Sequence, residues 1–160
     1  MSREVAVLLA AFLGGVLAQS HRLFDFFWAK PQQQKRIKAM VIADIQAMVT
    51  MTEAFDLNNV LDRFLGDADC TMPTLVDPSL PIDASYVLFQ ENIVAFNPTE
   101  AASVTGFFRY VRASRAATLA LTVKDIDQTF KATMITAAKT NWNAAKKEAA
   151  KLGVESTDAK

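Results

Sequence analysis

The amino-acid sequence predicts an all-α fold, in which an N-terminal hydrophobic, transmembrane helix is followed by an antiparallel bundle of about four helices. Apolar residues recur at spacings of three and four along most of the chain, as they do on one face of an α-helix. Residues typical of helix starts and ends separate these stripes. Segments that alternate apolar and polar residues, as strands do, extend over only a few residues. The 160 residues are enough for one domain with a hydrophobic core.

The N-terminal segment is the most hydrophobic part of the chain. Residues 5–18 contain no strongly polar side chain, and as a helix they would cover about 21 Å of the roughly 30 Å hydrocarbon layer of a membrane. Arg3 and Arg22 bracket this run, and their long side chains can extend the span to the head groups. We therefore expect residues 1–30 to form a membrane anchor. The predicted membrane contacts are made by Val5, Leu8, Leu9, Phe12, Leu13, Val16, Leu17, Phe24, Phe27 and Trp28.

Two alternatives to an anchor are open for the same segment. The apolar run has the length of a signal-peptide core, and removal of residues 1–18 would release a periplasmic or secreted helical binding protein. The segment could also be a buried helix or the interface of a soluble helical oligomer. We favour the anchor because Arg3 is offset by Glu4, whereas signal peptides begin with net positive charge, and because the apolar run has no polar face.

The charges around the anchor predict its orientation. Basic residues cluster on its C-terminal side, at Arg22, Lys30, Lys35, Arg36 and Lys38. Because basic residues remain on the cytoplasmic side, we expect a single pass through the inner (cytoplasmic) membrane, with the bulk of the chain in the cytoplasm. The same basic side chains can contact anionic head groups, so membrane lipid is a predicted partner.

The composition argues against several classes of function. Seventeen basic residues balance seventeen acidic ones, so the net charge predicts no nucleic-acid partner. His21 is the only histidine and Cys70 the only cysteine, so a single chain has no disulfide and no cluster of histidine ligands, and no nucleophile–base pair is visible in the sequence. We expect no metal, no cofactor and no catalytic residue, and therefore no enzymatic activity.

Residues 31–152 are predicted to form the helical bundle domain, beginning with a long helix after Pro31. Its apolar stripe contains Ile37, Val41, Ile45, Met48, Thr52 and Phe55, widened by Met40, Ala47, Met51 and Ala54, and is predicted to pack in the core or against a partner. Asp56 is placed to cap a short second helix, which Gly66 ends. Residues 66–83 contain three prolines and four aspartates, and we expect them to form a long proline-rich loop.

The clearest local signal lies between two later helices. Residues 85–96 show a helical stripe, and the sequence NPTE then supplies Asn97 as N-cap, Pro98 in the first turn and Glu100 as the third helical residue. The next helix is predicted to pack inward through Val104, Phe107, Phe108, Val111 and Leu119. Its candidate interaction face consists of Arg109, Arg112 and Arg115.

The C-terminal part is alanine-rich and is predicted to be one long helix that ends at Leu152 and Gly153. Its stripe is predicted to contain Ile126, Phe130, Met134, Ala138, Trp142, Ala145, Ala149 and Leu152. Residues 153–160 lack this pattern, and we expect them to form a disordered tail.

A family resemblance comes from the hydrophobic N-terminal helix together with the later sequence SYVLFQENIVAFNPTEAASVTGFFRYVRAS, residues 85–114. This combination resembles small, uncharacterised, single-pass bacterial membrane proteins, in which a helix that ends in a proline-containing turn precedes a helix with an aromatic pair like Phe107 and Phe108. The resemblance implies an all-helical, membrane-tethered domain and implies no catalytic residue. The expected function is that of an interaction or regulatory protein, whose partner is another protein or a second copy of the chain.

Overall fold

The computed structural model describes residues 30–66, 82–122 and 126–155. All regular structure in these ranges is helical, which confirms the predicted all-α class. The helices are α1 (Lys30–Ala54), α2 (Leu57–Gly66), α3 (Ile82–Glu91), α4 (Pro98–Ala120) and α5 (Gln128–Lys151), with a 3-10 turn at Ile93–Ala95 between α3 and α4.

Two predictions from the sequence concern residues outside these ranges. The anchor residues from Val5 to Trp28, together with Arg22 of the basic flank, precede the first described residue. The proline-rich loop lies outside as well, except for Gly66 at the end of α2 and the first residues of α3. Among the helices that are described, none combines the length and the hydropathy needed to cross a bilayer.

Helices α1 and α2 form because each has an apolar stripe at helical spacing. Val41, Ile45 and Val49 are at most 1% exposed on α1, at the i, i+4, i+8 spacing of residues on one helix face. The two helices are separated by Asp56, whose φ of 46° lies in the left-handed region and ends α1. The side chain of Asp56 then accepts a long hydrogen bond of 3.4 Å from the backbone N–H of Asn59 in the first turn of α2.

The start of α4 is the capping box that the sequence predicts. The Asn97 side chain accepts a hydrogen bond of 2.8 Å from the backbone N–H of Glu100. In return, Glu100 Oε2 accepts one of 3.1 Å from the backbone N–H of Asn97. Pro98 occupies the first turn, where its missing N–H leaves no hydrogen bond unmade. The sharp change of direction between α3 and α4 therefore comes from local side-chain chemistry.

Helices α4 and α5 form an antiparallel pair. The buried hydroxyl of Ser114 donates a hydrogen bond of 2.9 Å to the carbonyl oxygen of Ala138. Gly106, eight residues earlier on α4, lies against Glu148, ten residues later on α5, and a Cβ at this glycine would be only 3.0 Å from Glu148 Cγ. The absence of a side chain at Gly106 therefore permits the close approach of the two helices at this end of the pair.

Helices α1 and α2 follow α5 in the opposite direction. The side-chain amide of Gln46 donates to the carbonyl oxygen of Glu155 at 3.0 Å and its oxygen accepts from the same residue's N–H at 3.2 Å. Two ion pairs continue along α5, one between Glu53 and Lys146 at 3.7 Å and one between Asp62 and Lys139. The residue numbers rise along α1 and α2 as they fall along α5, so α1 and α2 together run antiparallel to α5.

The hydrophobic core has two parts. The larger part lies between α1, α3, α4 and α5 and contains the aromatic rings of Phe89, Phe107 and Phe108, each at most 1% exposed. Their neighbours Tyr86 and Phe96 pack on them with ring centroids 5.2 to 6.1 Å apart. The smaller part joins α2 to the adjoining ends of α4 and α5 and contains Leu61, Phe64, Ala117, Leu121, Ile135 and Ala138.

Several predicted core positions are exposed instead. Leu119 and Phe130 are each 45% exposed and Phe55 is 49% exposed. Leu119 and Phe130 lie near the adjoining ends of α4 and α5, and Phe55 lies where α1 ends. The final helix also begins later than its stripe suggested, because Asp127 is its N-cap and accepts hydrogen bonds from the backbone N–H groups of Thr129 and Phe130. Conversely, Val49 is 1% exposed although the predicted stripe omits it.

The end of α5 is a Schellman motif. Gly153 has a φ of +79°, a conformation that side chains disfavour. Its N–H bonds to the Ala150 carbonyl at 3.1 Å, and the N–H of Val154 bonds to the Ala149 carbonyl at 3.2 Å. Val154 is 5% exposed, so the first residues of the segment expected to be a disordered tail pack against the bundle. Residues 156–160 lie outside the described ranges.

Candidate functional site

The basic residues predicted to contact lipid head groups divide into two groups in the structure. Lys35 and Arg36 are exposed near the start of α1, as is Lys30. Lys38 instead donates to both carboxylate oxygens of Glu100 at 2.6 and 2.7 Å. Since this ion pair joins α1 to the first turn of α4, Lys38 contributes to the packing of the bundle.

The carboxylate of Glu100 is electrostatically stabilised by these contacts. The hydrogen bond from Lys38, the backbone hydrogen bond from Asn97 and the charge of Lys38 lower the pKa of Glu100 below its ordinary value of 4.5, against an opposing effect of burial. Glu100 therefore has two roles, as capping residue of α4 and as the anion that holds Lys38.

The candidate arginine face on α4 is less uniform than the sequence suggests. Arg109 is exposed and donates to its neighbour Tyr110 Oη at 3.0 Å. Arg112 is exposed, and its guanidinium lies 4.2 Å from the ring centroid of Tyr86 on α3, a cation-π contact that joins the two helices. Arg115 is partly buried, and its Nε has no hydrogen-bond partner among the described residues. The three arginines therefore do not present one free basic surface.

A shallow groove of about 620 Å³ lies between the start of α4 and the end of α5. Gly106 lines the groove, and Arg109, Glu148 and Lys151 contribute its charged side chains. Glu148 and Lys151 are paired with each other at 2.8 Å, so their charges largely cancel. Within the described ranges, no group of three or more histidine, cysteine, aspartate or glutamate side chains is placed to hold a metal ion.

The most unusual surface belongs to α1. Its solvent-facing side between residues 39 and 55, which we call the α1 outer face, has no charged residue over about 25 Å of helix. Three large apolar side chains lie on it, Met40 at 56% exposure, Met51 at 44% and Phe55 at 49%. The complete α1 outer face consists of Ala39, Met40, Ala43, Ala47, Thr50, Met51, Ala54 and Phe55.

The charged residues of the same stretch of α1 point toward the bundle. Asp44 accepts a hydrogen bond of 2.7 Å from the hydroxyl of Ser85 on α3. Glu53 is 4% exposed in its side chain and pairs with Lys146 of α5. This arrangement reverses the usual pattern, in which the polar side of a surface helix faces water. Between residues 39 and 55, α1 therefore presents mainly apolar side chains to solvent as well as to the core.

The sequence contains a signal for this surface, since the stripe widened by Met40, Ala47, Met51 and Ala54 is predicted to pack in the core or against a partner. Apolar residues of α1 occupy both sides of the helix, more than the bundle interior can bury. A stripe wider than one helix face predicts that the helix packs on another surface in addition to its own core. The width of this stripe is visible in the sequence alone.

Comparison with known protein families, with curated proteins and with solved structures finds no match to this chain. The resemblance to small single-pass bacterial membrane proteins therefore stays a prediction from the sequence.

Proposed function

We propose that this chain is a membrane-anchored, antiparallel helical bundle that acts by binding another protein and has no catalytic activity of its own. The observation that carries the proposal is the α1 outer face, where methionine, alanine and phenylalanine face solvent without any charge. Methionine and aromatic residues are enriched in protein interfaces, and charged residues are depleted at their centres.

The exposed apolar area of this face can supply free energy for association. Met40, Met51 and Phe55 each leave about half of the side chain in water, which costs free energy in the isolated chain. At about 25 cal/mol for each Å² of apolar surface removed from water, covering these side chains and the alanines between them would contribute several kcal/mol to association. Scattered single apolar residues are common on protein surfaces, whereas large contiguous apolar patches mark interaction sites.

The proposed tether would place this surface close to a membrane. Helix α1 begins at Lys30, directly after the segment in which the anchor is predicted, and the α1 outer face begins about 14 Å further along the helix. Lys35 and Arg36 are exposed between the two and suit anionic head groups. We therefore propose a location at the cytoplasmic side of the inner membrane, where a partner is recruited by α1.

The experiment combines membrane fractionation with the size of the extracted complex, using the full chain in a bacterial host. We expect the protein in the membrane fraction, with an intact mass that starts at the N-terminal Met1, and in mild detergent a complex larger than one chain. The double variant Met40→Glu, Met51→Glu introduces charge at the α1 outer face and should reduce the complex to the single chain, because burying an unpaired carboxylate is costly.

The matched control is Val94→Glu, because Val94 is an exposed apolar residue, 75% accessible, on the 3-10 turn. This variant should keep the complex intact. A wild-type protein that is a single chain in every extract, or a double variant with an undiminished complex, would contradict the binding proposal. A soluble product that begins at residue 19 would instead support the secreted or periplasmic alternative, and a soluble full-length complex would support the soluble oligomer.

A further inference from the structure

We propose that the α1 outer face is covered by the same face of a second copy of this chain, with the two α1 helices antiparallel and a twofold axis passing near Ala47. The inference rests on the proposed function and specifies its partner. A twofold axis at this position pairs residues whose numbers add up to 94. The pairing can therefore be read directly from the residues of the face.

The residues of the α1 outer face complement one another under this symmetry. Met40 of one chain faces Ala54 of the other, Ala43 faces Met51, and Thr50 falls opposite Asp44. Each methionine thus meets an alanine, and Ala47 meets its own copy at the axis. Interfaces related by a twofold axis require such self-complementarity, and alternation of large and small residues across a contact permits close packing.

The charges of α1 favour the antiparallel orientation. Lys35 and Arg36 are exposed near its N-terminus, its first turn has no acidic residue and its last turn has no basic residue. These charges oppose the macrodipole of the helix, which is positive at its N-terminus and negative at its C-terminus. An antiparallel second copy places the basic end of each helix beside the negative end of the other.

A specific ion pair would extend this complementarity beyond the apolar residues. Asp56 is exposed just after the end of α1. Arg36 of one chain and Asp56 of the other lie within two residues of direct opposition under the same symmetry, which is within reach of an arginine side chain. A parallel pair would instead place the cations of Lys35 and Arg36 against their own copies.

The alanine at the axis sets the separation of the helices. Ala47 is exposed, and its small side chain permits the closest interaxial distances between packed helices, about 8 Å. At that distance the Cα atoms of the two copies of residue 47 come within the roughly 7 Å that a disulfide can bridge. The symmetry is therefore testable by cysteine substitution.

The test uses the full chain in its membrane, with Cys70→Ser removing the natural thiol, and mild oxidation. Ala47→Cys should give a covalent dimer at twice the 17.6 kDa of the chain, because residue 47 faces itself. Ala54→Cys is the matched control on the same face and should give no dimer. Its two copies would be separated by fourteen residues of helix, about 21 Å.

Two further variants test the register. Ala43→Cys and Met51→Cys should each fail to form a dimer alone, whereas the double variant should form one, since residue 43 of one chain faces residue 51 of the other. Dimers from every single cysteine would indicate a parallel arrangement and overturn the proposal. No dimer from Ala47→Cys or from the 43 and 51 pair would overturn it too. A different protein captured at residue 47 would then leave the proposed function standing with another partner.

Discussion

At the scale of single residues, Glu100 connects local and long-range structure. Its carboxylate accepts hydrogen bonds from the Asn97 backbone, three residues away, and from Lys38, 62 residues away. The first contact belongs to the NPTE signal and is predictable, because a capping box depends only on neighbours in the chain. The second is not predictable from the local sequence, because it depends on how α1 packs beside α4.

The lowered pKa of Glu100 predicts a pH-dependent contribution to stability. A carboxyl group whose pKa is lower in the folded state stabilises the fold above its unfolded pKa, near 4.5, and loses this contribution as the pH falls through the folded pKa. Glu100→Gln should therefore lower the free energy of unfolding by about 1 kcal/mol at neutral pH. The difference from wild type should shrink in acid.

Urea unfolding at a series of pH values measures this difference. The control is Glu155→Gln, which removes an exposed carboxylate that is connected to Gln46 only through backbone atoms. A Glu100→Gln difference that is constant between neutral and acidic pH would contradict the assigned role of the Glu100 carboxylate.

At the scale of elements, the ends of the helices were more predictable than their orientation. Asn97, Gly66 and Gly153 end or begin helices where the sequence predicts, because these effects involve a few neighbouring residues. The orientation of α1 was predicted only in part. Val41 and Ile45 face the core as expected, but Met40 and Met51 face solvent, since apolar residues on both sides of a helix do not indicate which side faces the bundle.

Gly153, at the end of α5, has a left-handed backbone conformation that disfavours any other residue. Gly153→Ala should lower the free energy of unfolding by about 1 kcal/mol, because the φ of +79° disfavours a Cβ although no atom lies within 4 Å of it. The matched control is Gly66→Ala, since Gly66 also has open space around it and shows no such φ.

Thermal or urea unfolding of the two glycine variants shows whether the left-handed φ of Gly153, rather than the added Cβ itself, lowers the free energy of unfolding. Gly66→Ala should be neutral or slightly stabilising, because alanine has the higher helix propensity. Equal effects of the two substitutions would show that the conformation of Gly153 does not determine the end of α5.

In the molecule as a whole, one side of α1 packs on the hydrophobic core and the opposite side faces solvent. Its inner side packs on α3, α4 and α5 through apolar side chains, and the charged residues of its central and C-terminal parts, Lys38, Asp44 and Glu53, bond to the bundle. The α1 outer face is left uncharged. Because these charged side chains bond to the bundle, a chain with balanced charge can present an apolar surface on α1. We therefore propose that α1 is the element that binds a partner.

Photo-cross-linking in intact cells tests that claim most directly. A photoreactive amino acid replaces Ala47 on the α1 outer face or, as the control, Val94 on the 3-10 turn, both of which are exposed. We expect a discrete protein adduct from position 47 and none from position 94, with the adduct lost when Met40→Glu and Met51→Glu are added. Adducts with lipid alone at position 47, or the same protein adducts from both positions, would contradict it.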